Sequence, residues 1–279
     1  MRPRSTRIPQ SGAPTLQVRE SGEGDRTLVL IHGFGDGGYI WDDFLPILGA
    51  HARAVTVDLR GHGDSDWDPH ARYDIAAYLD DIASVLNALH LRRVALVGHS
   101  MGGEIAIRLT DLYPDRVAGL ILVDAGPELE QSAVAHVRRE FVADNRIYSS
   151  YSEYADRLKE RQPLIAMELA ERLARNALRP RIQGGLELKR DPSILIQRRS
   201  ALPKLWPMLD KIACPTQVMR GAGSAVLPIS VAKQMLARLR YGRLDSVTMA
   251  GHAIMIDNPP GFAAAAISFI SEALLPNCC

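Results

Sequence analysis

The sequence predicts an α/β fold: a doubly wound, mostly parallel sheet with a helical cap inserted late in the chain. Three observations predict it. Short apolar runs alternate with longer segments of helical periodicity. Several of those runs are apolar at every position, as in strands buried on both faces. Between about Pro127 and Pro207 the alternation stops, and a charge-rich helical pattern replaces it. With 279 residues and 47% apolar content, the chain can bury a core of the size such a domain needs.

The elements follow in order. "TLVLI" (Thr27 to Ile31) reads as a buried strand running into "HGFGDGG". "AVTVDL" (Ala54 to Leu59) is a second, followed by "RGHGDSD", and "VALVG" (Val94 to Gly98) is a third. "GLILVD" (Gly119 to Asp124), "TQVMRG" (Thr216 to Gly221) and "DSVTMAG" (Asp245 to Gly251) complete the set. Helical patterns occupy roughly 74–91, 101–113, 231–239 and 260–274. Strand, helix, strand in repetition builds a parallel sheet. The domain boundaries expected are 15–126 and 208–279 for the sheet domain and 127–207 for the cap. Pro180, Gly184, Gly185 and Pro192 would divide the cap into short helices without a strand. Residues 1–14 are expected to be disordered.

Composition narrows the function. Thirty-three basic against 32 acidic side chains leave a net charge of +1, so no overall field draws nucleic acid or an anionic membrane. The three cysteines, Cys214, Cys278 and Cys279, are no disulfide framework and fit a reducing cytosol. The adjacent pair at the end has no companion ligands and reads as a frayed tail rather than a metal or lipid site. The basic start "MRPRSTRIPQSGAP" lacks the apolar core of a signal peptide. The run "FAAAAISFI" from Phe262 is too short to span a bilayer. A cytoplasmic protein is expected.

In open parallel sheets ligands bind beyond the carboxyl ends of the strands. Those ends carry His32-Gly33-Phe34, Arg60-Gly61-His62-Gly63, His99-Ser100-Met101, Asp124 and Gly251-His252. Ser100 lies in G-x-S-x-G, directly after a strand and before a helix. A serine on so tight a turn takes strained backbone angles, and strand and helix crowd the positions two before and two after it. The pattern alone would occur by chance ~0.1 times in such a chain; its placement is what makes it specific. His252, at the end of the last strand, can act as a base near neutral pH.

These motifs identify the resemblance. From "LVLIHGFG" through "VDLRGHGDSD" and "LVGHSMGG" to "AGHAIMIDNPPGF", the sequence resembles the α/β-hydrolase fold superfamily. The resemblance implies an eight-stranded sheet, a helical cap and a Ser-His-acid triad of Ser100, His252 and a carboxylate. It also implies an oxyanion hole from the backbone N–H groups of Phe34 and Met101.

The acid departs from the commonest layout of that family, which places an aspartate after the strand "TQVMRG". Here Gly221-Ala222-Gly223-Ser224 stands instead. Asp124 is therefore assigned as the acid, with Glu128, Glu130 or a dyad without an acid as alternatives. His32, Arg60, His62 and Asp64 are expected to shape loops. His99, Gly33 and Trp206 are expected to contact substrate, and Phe141, Tyr148, Tyr151 and Met208 are further candidates for a pocket lining. No metal spacing is present, and "HGFGDGG" lacks the dinucleotide-binding order, so neither metal nor cofactor is expected.

The expected activity is hydrolysis of an ester, thioester or lactone of a small acyl substrate through an acyl-enzyme. C–C bond hydrolysis, cofactor-free halogenation and acyl transfer or cyclisation stay open on the same scaffold, as does a small-molecule receptor. From Arg172 to Lys204 nine basic residues face only Glu187 and Asp191. They form either a solvated face or a patch, including Arg198 and Arg199, for an anionic substrate or an acidic carrier protein.

Overall fold

The computed structural model describes residues 3–162, 165–196 and 204–274. An eight-stranded sheet carries the molecule. Its strands are β1 (Arg4–Gln10), β2 (Ala13–Ser21), β3 (Thr27–Ile31), β4 (Arg53–Val57), β5 (Val94–His99), β6 (Val117–Val123), β9 (Thr216–Gly221) and β10 (Gly242–Val247), with β7 (Leu178–Pro180) and β8 (Leu186–Leu188) forming a separate hairpin. The spatial order is β1-β2-β4-β3-β5-β6-β9-β10. β2 is antiparallel to both its neighbours; every other pairing is parallel.

The apolar runs face two cores. Val29 and Ile31 of β3 contribute to one and Leu28 and Leu30 to the other. Successive strand side chains point to opposite faces, so a strand covered on both sides must be apolar throughout. α2 (Ile75–Ala88), α3 (Met101–Leu112) and α8 (Ile229–Arg238) cover the first face. α1 (Phe44–Leu48) and α10 (Pro259–Ala273) cover the second, where Trp41 and Phe44 pack on Phe262. α10 starts on a proline pair, with Asn258 Oδ1 capping the Gly261 N–H.

The chain leaves β3 for β4 on one side and returns to β5 on the other. This reversal opens a crevice at the carboxyl ends of β3 and β5, where such sheets bind ligands. Over it lies the inserted segment: α4 (Gln131–Asp144), α5 (Tyr151–Arg161), α6 (Met167–Ala177), the β7–β8 hairpin and α7 (Trp206–Leu209). α5, α6 and the hairpin share a small core around Tyr148, Tyr154, Leu173 and Leu186. α4 and α5 are tied by the buried Asp144 carboxylate, which accepts hydrogen bonds from Arg157 Nε (3.0 Å) and Arg161 Nη1 (2.6 Å).

Three expectations are corrected. The first residues are ordered from Arg4: β1 pairs with β2, and buried Ile8 joins the core. The inserted segment is not purely helical. Gly184 and Gly185, at φ +88° and +75°, turn a hairpin rather than separating helices. The last strand ends at Val247, so 248–251 form the loop that delivers His252. Arg198, Arg199, Cys278 and Cys279 lie outside the described residues. Among the described residues no helix is long and apolar enough to cross a membrane.

Candidate active site

Ser100 occupies the tight junction between β5 and α3 at φ +52°, ψ −117°, a conformation that costs a non-glycine residue free energy. The turn is possible because its flanks are glycines. A Cβ on Gly98 would lie 2.3 Å from the Gly102 carbonyl oxygen, and one on Gly102 would lie 2.3 Å from that of Ile31. Backbone donors are fixed at the same place. Met101 is the first residue of α3, and the first N–H groups of a helix have no intrahelical acceptor.

Asp124 follows β6, is fully buried and has φ +45°. Its Oδ2 accepts a 2.8 Å hydrogen bond from His252 Nδ1, and its Oδ1 accepts one from the Gly221 N–H at 3.3 Å. The structure thus brings Asp124 to the imidazole. Glu128 instead takes the Trp206 indole N–H at 2.7 Å, and Glu130 caps α4 through the Ser132 N–H. A fourth group, standing where the sequence shows only the absence of an acid, completes the arrangement. Ser224 Oγ donates to Asp124 Oδ2 at 2.5 Å while accepting from the N–H groups of Val226 and Leu227.

Two neutral histidines brace the loop after β3. His32 Nε2 accepts from the Leu59 N–H (3.0 Å), and its Nδ1–H donates to the Gly33 carbonyl (2.8 Å). His62 Nε2 accepts from the Gly35 N–H (3.2 Å), and its Nδ1–H donates to the Arg60 carbonyl (2.9 Å). Burial lowers the pKa of both, well below the ordinary imidazole value for His62. A neutral ring with one donor and one acceptor is what these contacts require. Arg60 is held by Asp81 (2.9 and 2.7 Å) and Asp68 (3.1 Å) beneath the same loops.

His99, 3% exposed, packs its ring against that of His252 with centroids 4.6 Å apart. Its Nε2–H donates to the His252 carbonyl at 3.0 Å, and its Nδ1 has no hydrogen-bond partner among the described residues. Burial holds its pKa well below the ordinary value.

Ser100, His252 and Phe34 stand where two cavities meet. The larger, of about 600 Å³, extends between α3 and α4 toward Trp206 and Val226. The smaller, of about 360 Å³, runs under α5 and α6 and is lined by Asp36, Tyr39, His99, Tyr154 and Arg190 among others. Trp206 therefore does line a cavity, and so does Phe141, which stacks on Phe34 at 4.8 Å. Gly33 lines neither. It lies against His99 and Ser100, where a Cβ would come within 2.8 Å of His99 Nδ1. Tyr148 is buried in the cap, Tyr151 stacks under Arg175, and Met208 packs on the first core. His136, on the exposed side of α4, also reaches the smaller cavity.

Much of the basic run of the cap is engaged internally. Arg172 pairs with Asp43, Arg179 and Arg181 with Glu187, and Lys189 with Asp64. Arg190 stacks 3.7 Å over Phe141 and donates to the carbonyls of Gly35 and Phe141. Lys204 lines the larger cavity. Among the described residues no cluster of three or more potential ligands could hold a metal ion.

A mixed eight-stranded sheet with an elbow serine, an imidazole on the loop after the last strand and an inserted cap defines an α/β-hydrolase fold, and the comparisons agree. Residues 28–265 match the model of the alpha/beta hydrolase family, and the chain belongs to that family. It is 29% identical over 253 residues to a Caulobacter sp. (strain K31) protein named "Putative carbamate hydrolase RutD", covering 88% of this chain and 91% of that one. Among solved structures, E-2-(acetamidomethylene)succinate hydrolase superposes with a TM-score of 0.87 at 25% identity, over 97% of this chain and 100% of that one. The thioesterase domain from the curacin biosynthetic pathway superposes with a TM-score of 0.80 at 25% identity, again over 97% and 100%.

Proposed function

We propose that the protein is a serine hydrolase that cleaves an ester, thioester or lactone of a small organic substrate. The observation that carries this reading is the 2.8 Å contact between His252 Nδ1 and the buried Asp124 carboxylate. It fixes the tautomer, leaving Nε2 as the basic nitrogen of a ring that shares both cavities with Ser100. The strained position of Ser100 supports the role of nucleophile. The names of the relatives, two hydrolases and a thioesterase domain, are consistent with acyl chemistry.

In this reading Ser100 Oγ attacks the acyl carbon and its proton passes to His252 Nε2. The Asp124 carboxylate stabilises the imidazolium without taking the proton. The N–H groups of Phe34 and Met101 receive the oxyanion, each such donor contributing about 3 kcal/mol to lowering the barrier. His252 then protonates the leaving group, and water, deprotonated by the same ring, releases the acid and frees Ser100.

A fluorophosphonate probe and a p-nitrophenyl ester test the reading. The wild-type protein should be labelled on Ser100 and turn the ester over, and Ser100→Ala should abolish both. Labelling that persists in Ser100→Ala, or none in the wild type, would defeat it.

A further inference from the structure

The smaller cavity holds a carboxylate for which the triad has no use. Asp36 lies two residues beyond Phe34 on the loop after β3, and 35% of its side-chain surface remains accessible where it lines this cavity. Among the described residues nothing hydrogen-bonds to it. His99 Nδ1 stands 4.0 Å from its Oδ2, beyond hydrogen-bond reach. His99 cannot move in as a donor. Its one N–H is committed to the His252 carbonyl, so its Nδ1 offers only a lone pair.

Two acceptors thus face each other beside the nucleophile with no proton between them: His99 Nδ1 is buried, where an acceptor without a donor is costly, and the Asp36 carboxylate is open to the cavity. What is missing is a group carrying a polar hydrogen. The charges around Asp36 favour a neutral one. Arg190 and Arg161 line the same cavity, and both act on the Asp36 carboxyl together with His32 and His252. Arg161 is balanced by Asp144, whereas Arg190 donates to two backbone carbonyls and has no carboxylate in salt-bridge range among the described residues. Glu140 is paired with Arg157, and Asp257 accepts the Gly251 N–H.

We propose that the smaller cavity is a polar specificity subsite in which Asp36 accepts a hydrogen bond from a neutral hydroxyl or amide N–H of the substrate. It rests on the serine-hydrolase reading and adds a substrate class: acyl compounds functionalised with a hydroxyl or amide rather than purely aliphatic ones. A hydrogen-bonding site discriminates most strongly against the analogue lacking the group, because its own polar atoms are then left unpaired.

Two isosteric substrate series test it. One consists of p-nitrophenyl esters whose acyl chains end in methyl, hydroxyl or ammonium, across a range of lengths. The other consists of thioesters with the same three endings on the thiol side. In one series the hydroxyl member should exceed its methyl and ammonium counterparts in kcat/KM by roughly tenfold or more. In Asp36→Leu the hydroxyl-to-methyl ratio should collapse toward unity, while Asp36→Asn, which keeps an acceptor oxygen, should retain part of it. Thermal unfolding of both variants reports their folding. Absence of a hydroxyl preference in both series, or a preference unchanged in a folded Asp36→Leu, would overturn the subsite. Failure of fluorophosphonate labelling in the wild type would instead overturn the serine-hydrolase reading beneath it.

Discussion

A hydroxyl that already accepts two backbone N–H groups has one direction left for its own proton. Ser224 is in that position, and its proton points at Asp124 Oδ2, the oxygen that also receives His252 Nδ1. The loop after β9 therefore contributes a donor to the carboxylate after β6 where the commoner family layout would place the carboxylate itself. A donor of this kind fixes which lone pair faces the ring. Asp124→Asn should lower kcat/KM by about 10⁴, as removal of a triad acid does elsewhere. Ser224→Ala should lower it by about tenfold to a hundredfold, as expected for one hydrogen bond of about 1.5–3 kcal/mol to a charged group. Because Ser224 acts through Asp124, adding Ser224→Ala to Asp124→Asn should produce no further loss. Independent, multiplicative losses in that cycle would show that Ser224 has only a structural role.

At the scale of the element, the elbow depends on contact between backbones. α3 approaches the end of β3 so closely that a methyl group on Gly102 would overlap the carbonyl oxygens of Ile31 and His32, at 2.3 and 2.7 Å. Neither is a side chain that could rotate away. Gly102→Ala should destabilise the fold by about 1–3 kcal/mol. It should also suppress fluorophosphonate labelling even where the variant remains folded, because Ser100 and the Met101 N–H move with the helix. Urea denaturation and probe labelling measure the two effects separately. The facing loop after β3 is fixed by side chains instead, through His32 and His62, which hold Gly33 and Gly35 on either side of Phe34.

At the scale of the molecule, three buried histidines, His32, His62 and His99, have pKa values lowered by burial. In the unfolded chain they titrate near 6.5. As pH falls through that value, the unfolded state binds protons that the native state does not, so stability falls. Each such ring contributes a slope of about 1.4 kcal/mol per pH unit until its native pKa is reached. Asp36, Asp81 and Asp257, whose pKa values are raised by burial, work in the opposite sense. Their contribution is complete below about 3.8 and is lost as pH rises through their native values, so it offsets part of the histidine effect. The melting temperature should therefore drop between pH 7.5 and 5.5, and more gently in His62→Gln. A flat profile over that interval would mean that these rings are not kept neutral by the fold.

The parts of the molecule that were legible in the sequence share one property. The central strands β3, β4, β5 and β6 are buried and almost wholly apolar, and a glycine two residues either side of a serine marks a turn that nothing larger can occupy. Composition and local spacing therefore determined the parallel core, the elbow at Ser100 and the place of His252 after the last strand. β1, at the sheet edge, and its antiparallel neighbour β2 escaped because both mix polar and apolar residues, as "RSTRIPQ" and "APTLQVRES" do. The cap hairpin escaped because each of its strands is only three residues long. The pairing of Asp124 with His252 spans 128 positions, and that of Ser224 with Asp124 spans 100. The choice of acid, the donor that holds it and the unpartnered Asp36 depend on which strand ends the sheet order sets side by side. Only the tertiary structure decides that, because hydrogen bonds over such separations leave no periodicity in the chain.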